Sequence, residues 1–254
     1  MIPKIIHLCW LSGDEYPNSI RICLDSWKKN LPDYEIWLWD TKRFDINSTL
    51  WTRQAFEKKK YAFAADYIRL YALYNYGGIY LDSDVFVYKS FDDLLELPYF
   101  LGEDNVHCFE AAVIGCEPQM PWIKDILDRY EGLEFINADG SLNVRGLPLV
   151  FHDRLSSKYR FDLVQKYLPY EYDKNVIKVF SKDYFNSRDY IGSVRYENSY
   201  CSHNYMGSWM KKKKDSWWKS IIPRSILNLI YAGLYKSIWK NRINSIQIRY
   251  INYK

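Results

Sequence analysis

The sequence predicts an α/β sandwich built on a mainly parallel sheet. Short apolar runs alternate with segments of helical periodicity, strand–helix–strand–helix, up to a strand that ends in two aspartates near residue 84. A length of 254 residues with 48% apolar content suffices for one substantial core and a small appendage.

Ile2–Trp10, IPKIIHLCW, reads as the first strand, turning at Leu11-Ser12-Gly13. His7 alternates with its neighbours and reads as a packed strand histidine, since nothing nearby completes a metal-binding spacing. Pro17–Asn30 is a helix with Ile20, Leu24 and Trp27 on one face, and Pro17 suits its start. Tyr34–Trp39 alternates as a strand, and Trp51–Lys60 is helical with a solvated Lys58–Lys60 face. Phe63, Tyr67, Leu70, Tyr71 and Tyr74 then recur at helical spacing from Ala62 to about Asn75, where Gly77-Gly78 stops the helix. Ile79–Leu81 is a short buried strand that runs into Asp82-Ser83-Asp84.

The chemistry gathers at that strand end. Two carboxylates two residues apart share one side of an extended strand, unless a turn re-aims one. Such hard oxygen ligands suit Mg²⁺ or Mn²⁺, which can bridge the two phosphates of a nucleotide and remove the repulsion between the acids. An isolated Asp-x-Asp is weak evidence, because solvated turns contain many. Asp66 and Arg69 share a helix face and can point at the same pocket; a local ion pair on a solvated surface is the alternative. Parallel sheets bind ligands beyond the carboxyl ends of their strands, where Trp10 and Asp82/Asp84 would meet.

Ala65-Asp66-Tyr67-Ile68-Arg69 and Tyr76-Gly77-Gly78-Ile79-Tyr80-Leu81-Asp82-Ser83-Asp84 resemble the DXD region of glycosyltransferase family 32. The opening Ile-Ile-His-x-x-Trp and the late His203-Asn204-Tyr205-Met206-Gly207-Ser208-Trp209 are similar to that family's first strand and closing motif. The resemblance implies a GT-A-like, Rossmann-type sandwich and retaining sugar transfer. It implies Mn²⁺ (or Mg²⁺) held by Asp82, Asp84 and His203, and a nucleotide-sugar donor contacted by Trp10, Asp66, Arg69, Tyr80, Ser83, Ser208 and Trp209. Asp66, Arg69, Asp82 and Asp84 would be the catalytic set. Trp10 could equally be a core residue, and Ala65 replaces a serine common in the family. A UDP-hexose, galactose or glucose, is the expected donor, with GDP-mannose as the alternative; a non-catalytic adaptor that kept the fold is the rival from another class.

Downstream, Phe100–Glu103 and Ala111–Ile114 read as strands and Pro121–Tyr130 as a helix with Trp122, Ile126 and Tyr130 inward. Gly132–Gly146, rich in turn residues, reads as a mobile loop that touches acceptor.

The formal charge of +4 is uneven. Residues 211–254 carry 11 Lys/Arg against the single acid Asp215, and the rest of the chain is net acidic. Trp218, Ile221, Ile222, Ile226, Leu229, Ile230 and Leu234 recur there at three- and four-residue spacing. The pattern suits an amphipathic helix on an anionic membrane surface; packing on the body is the alternative, and no nucleic-acid fold accompanies the charge. The expected organisation is a catalytic domain over residues 1–210 and a membrane-associating tail over 211–254, with a lipid-linked saccharide acceptor as in surface-polysaccharide assembly. Five cysteines without a CxxC pair, no evident signal peptide and no long apolar run suggest a reduced cytoplasmic protein, peripheral on the inner face of the plasma membrane.

Overall fold

The computed structural model describes residues 1–104, 108–186, 188–189, 192–193 and 197–205. Ser208, Trp209 and the basic tail lie outside the described residues.

The strand–helix alternation resolves as β1 (Ile5–Cys9), α1 (Asn18–Asn30), β2 (Glu35–Trp39), α2 (Leu50–Glu57), α3 (Tyr61–Tyr76), β3 (Gly78–Leu81) and β4 (Val85–Val87). The chain continues through β5 (Tyr99–Glu103), β6 (Phe109–Cys116), α4 (Pro121–Leu127), α5 (Leu147–Leu155), β7 (Arg160–Val164), β8 (Val176–Phe180) and α6 (Lys182–Phe185). The described residues close with β9 (Arg188–Asp189), β10 (Gly192–Ser193) and β11 (Cys201–His203). Seven strands make the central sheet in the order β2-β1-β3-β6-β5-β8-β7. It is largely parallel; β6 alone is antiparallel to both of its neighbours, β3 and β5. A separate two-stranded ladder pairs β4 with β11.

Period-2 alternation distributes the core to two faces. Tyr80 and Leu101 pack with α2–α5 on one side, whereas Ile6, Leu8, Ile79, Leu81 and Phe100 pack with Trp27 of α1 and with β4 and α6 on the other. This is the α/β/α sandwich expected.

The α3–β3 junction sets the site's position. Gly77 and Gly78 adopt φ of +63° and +95°, and a Cβ on Gly78 would stand 2.7 Å from the Ile5 carbonyl. Only glycine combines that backbone with so close an approach to β1. His7 fills the space beside it: Trp39 Nε1 donates to Nδ1 at 3.0 Å, and Nε2 lies 2.6 Å from the Gly77 carbonyl. The packed-histidine reading holds, and burial lowers its pKa to about 4.

Gly132–Gly146 departs from the expected mobile loop. Its Phe135 is fully buried against Trp51 and Phe63, and Gln54 Oε1 accepts both the Phe135 and Ile136 amides. An apolar pair within a turn-rich stretch was enough to draw its middle into the core.

Candidate metal and donor site

β3 delivers Asp82 to the sheet's carboxyl end. The ladder to β6 runs through Leu81↔Val113, and the Asp82 amide still donates to the Ala112 carbonyl at 2.9 Å. The chain then turns at once, Val85 N–H donating to Asp82 O at 3.0 Å. The two carboxylates therefore meet across a tight turn, not along one side of an extended strand; here the turn does re-aim one of them. The far side of the turn is anchored by α1, whose Trp27 Nε1 donates to the Val85 carbonyl at 2.7 Å. Asn30 Nδ2 donates to the Val87 carbonyl, and Ser26 Oγ accepts the Val87 amide. The other edge of β4 pairs with β11, placing His203 opposite Val85. A carboxylate oxygen from Asp82, another from Asp84 and a ring nitrogen of His203 all lie within 4.8 Å of one another.

Arg69 is buried and not part of a solvated surface pair. Its Nη2 lies 3.0 Å from Asp82 Oδ1 and 3.3 Å from Asp66 Oδ1, and Nη1 donates to the Ala111 carbonyl. Its guanidinium also lies over the Tyr80 ring at 4.3 Å, and the Tyr80 hydroxyl donates to Asp82 Oδ1 at 3.0 Å. Tyr80 thus stands behind Asp82, where it orients the carboxylate. With Oδ1 engaged twice, the second oxygen of Asp82 is the one suited to a cation.

Burial pushes the Asp66 carboxyl up to about 7 despite Arg69 beside it, and pushes Asp82 upward as well. His203 goes the other way from what burial alone would give: Glu110 and Asp84 flank its ring and hold it well above the usual histidine range. The carboxylates that raise the imidazole's proton affinity are the negative charges a divalent cation would meet. Two carboxylates and an imidazole are also a suitable donor set for Mn²⁺. The residues fit such an ion.

Trp10 leaves β1 beside the end of β3, half-buried, with its Nε1 donating to the Asp14 carbonyl at 2.9 Å and its ring 4.9 Å from Tyr16. Ser83 occupies the turn between the aspartates. Six expected residues (Asp66, Arg69, Tyr80, Asp82, Asp84 and His203) therefore form one cluster. Glu110 was missed. It is 3% exposed, and its signal was a lone charge inside the apolar strand FEAAVIGC, a costly placement unless paired.

Residues 17–101 match the model of the "Glycosyltransferase sugar-binding region containing DXD motif". The chain carries a GT-A-like fold with a DXD-type sugar-binding motif. Inositol phosphoceramide mannosyltransferase 3 of Schizosaccharomyces pombe is 29% identical over 133 residues, 50% of this chain and 36% of that protein. Mannosyl phosphorylinositol ceramide synthase SUR1 of Saccharomyces cerevisiae is 30% identical over 154 residues, 56% of this chain and 39% of that protein. An uncharacterized glycosyltransferase of Acanthamoeba polyphaga mimivirus is 33% identical over 168 residues, 61% of this chain and 65% of that one. The matched region spans well under half the length of the two yeast relatives. Among the described residues, no helix is long and apolar enough to cross a membrane.

Proposed function

We propose that this chain is a metal-dependent, retaining glycosyltransferase of family 32 that moves mannose from GDP-mannose to a hydroxyl on a lipid-borne acceptor. The observation that carries the reading is the convergence of Asp82, Asp84 and His203 beside a buried Arg69. The yeast relatives, named for mannosyl transfer to inositol phosphoceramide, support mannose over the UDP-galactose or UDP-glucose expected from the sequence. They also favour an acceptor hydroxyl carried on a membrane lipid, of which a lipid-linked saccharide is one form.

In the reaction the acceptor oxygen bonds to the anomeric carbon as the bond from that carbon to the diphosphate oxygen breaks. GDP departs with the electron pair, and the acceptor proton passes to a phosphate oxygen on the same face. A divalent cation held by Asp82, Asp84 and His203 would supply positive charge against the leaving diphosphate. Arg69 fixes Asp82 and adds a second positive charge at the same place, Asp66 offers a carboxyl to the donor sugar's hydroxyls, and Trp10 offers a ring face to the base. Ser208 and Trp209 would add donor contacts, as the family resemblance implies. The basic segment 211–254 would hold the enzyme on an anionic membrane at the cytoplasmic face, near its lipid acceptor.

The complete set of ionisable groups supports catalysis over a fold-retaining adaptor. The reading is tested by incubating the protein with GDP-mannose, UDP-galactose and UDP-glucose in Mn²⁺ and following nucleotide release. Preferential turnover of GDP-mannose is expected, and turnover of a UDP-hexose instead would return the donor to the sequence-based expectation. NMR of the glycoside should show the donor's anomeric configuration retained; inversion contradicts the same-face route.

A further inference from the structure

Glu110 arrives at the site because β6 runs against β3, so the start of β6 lies at β3's carboxyl end. Three consecutive residues there serve three site groups. Glu110 faces His203, the Ala111 carbonyl takes Arg69 Nη1, and the Ala112 carbonyl takes the Asp82 amide.

Both oxygens of Glu110 are occupied. Oε1 accepts the Ala112 amide at 2.9 Å and lies 3.3 Å from His203 Nδ1. Oε2 accepts from the Tyr205 hydroxyl at 3.0 Å and from Asn186 Nδ2 at 3.1 Å. Tyr205 is held in turn: Asn186 Nδ2 also donates to its hydroxyl, its φ is +47°, and its ring packs on that of His203 with centroids 4.1 Å apart. A carboxylate so engaged is a poor nucleophile for the donor sugar, but it is well built to orient an imidazole. His203 Nδ1 is buried and has no other acceptor, lying off the line of a hydrogen bond to Glu110. The opposite nitrogen, Nε2, is 3.3 Å from Asp84 Oδ1.

We propose that Glu110 is the positioning residue of the cation site: it receives Nδ1–H of His203, selecting the tautomer and ring orientation that present the Nε2 lone pair to a cation shared with Asp82 and Asp84. Tyr205 and Asn186 hold Glu110 in place for that task. The inference rests on the metal-dependent reading above and adds to it the residue that makes His203 a ligand. Carboxylate partners of ligating histidines typically change metal affinity by about 10–100-fold.

The test is Mn²⁺ binding to the full chain, read from the EPR signal of free Mn²⁺, with pulsed EPR reporting ¹⁴N coupling from a bound imidazole. Glu110→Gln should raise Kd by about 10–100-fold and diminish the ¹⁴N signal. In a His203→Ala background the same change should alter Kd by less than about twofold, because a residue that acts through His203 has nothing left to orient. Tyr205→Phe, which deletes one hydroxyl and keeps the ring, should weaken binding in the same direction, and it decides the matter if Glu110→Gln does not fold. Wild-type affinity and ¹⁴N coupling in folded Glu110→Gln would overturn the proposal, as would an equal loss with His203 already removed. Absence of Mn²⁺ binding by the wild type would instead overturn the metal-dependent reading, and this inference with it.

Discussion

Arg69 Nη2 stands 3.0 Å from Asp82 Oδ1, joining the buried face of α3 to the carboxyl end of β3. The same guanidinium reaches Asp66 and the Ala111 carbonyl, so one side chain fixes a helix, a strand end and the neighbouring strand. Removing it leaves the buried Asp66 and the half-buried Asp82 without their cation. Arg69→Met should cost about 3 kcal/mol of stability in urea unfolding, within the usual range for breaking a buried pair. Arg69→Lys should lie between that variant and the wild type, since an ammonium cannot span the same partners. A change within about 0.5 kcal/mol for Arg69→Met would mean that the network does not hold the fold.

Trp27 anchors the strand that follows the aspartates. Trp27→Phe keeps most of the buried area and deletes the donor to the Val85 carbonyl, so about 1–2 kcal/mol should be lost. Sugar transfer should fall by more than the fraction unfolded, because β4 carries Asp84's side of the turn. Full activity in a folded Trp27→Phe would show that the turn holds its shape without α1.

His7 gives a pH dependence with a defined sign. Its folded pKa of about 4 lies below the ordinary value of 6.5, so the unfolded chain binds the extra proton between those values. The contribution of His7 is therefore complete above pH 6.5 and is lost as pH falls towards 4. Between pH 7.5 and 5 the loss should be about 2 kcal/mol. Urea unfolding of wild type and His7→Gln at the two pH values isolates it: the stability difference between the proteins should shrink by that amount on acidification. A constant difference would contradict a neutral, buried His7.

At Gly78 the start of β3 lies close against β1. Gly78→Ala places a methyl 2.7 Å from the Ile5 carbonyl at a φ of +95°. A loss of at least about 2 kcal/mol is expected. Circular dichroism melts give the comparison, and an unchanged midpoint would mean that β1 and β3 can part without cost.

How much of this was legible in the sequence depended on whether the signal was local. Helix α3, its glycine stop and the strand into Asp82 were legible because periodicity and backbone chemistry act within one stretch. Asp66, Arg69 and the aspartate pair followed from spacing, and His203 through resemblance to a known motif. Glu110 was not read, although a lone carboxylate among the apolar residues of β6 was a signal for a buried partner. Its role depends on β6 running antiparallel to β3 and on a histidine 93 positions away, facts of topology that a local pattern does not contain. Phe135 was lost for a related reason: turn residues dominated the reading of its segment, while the space it fills is made by Trp51 and Phe63, distant in sequence.

In the proposed reaction a cation held by Asp82, Asp84 and His203 would favour loss of the diphosphate from a mannosyl donor. The most direct test is release of GDP from GDP-mannose by wild type and Asp84→Asn, with Mn²⁺ and with EDTA. The account predicts turnover that needs Mn²⁺ and falls at least about 100-fold in the variant, an effect of the size seen when one charge-stabilising group is removed. Turnover undiminished by both EDTA and Asp84→Asn would contradict it.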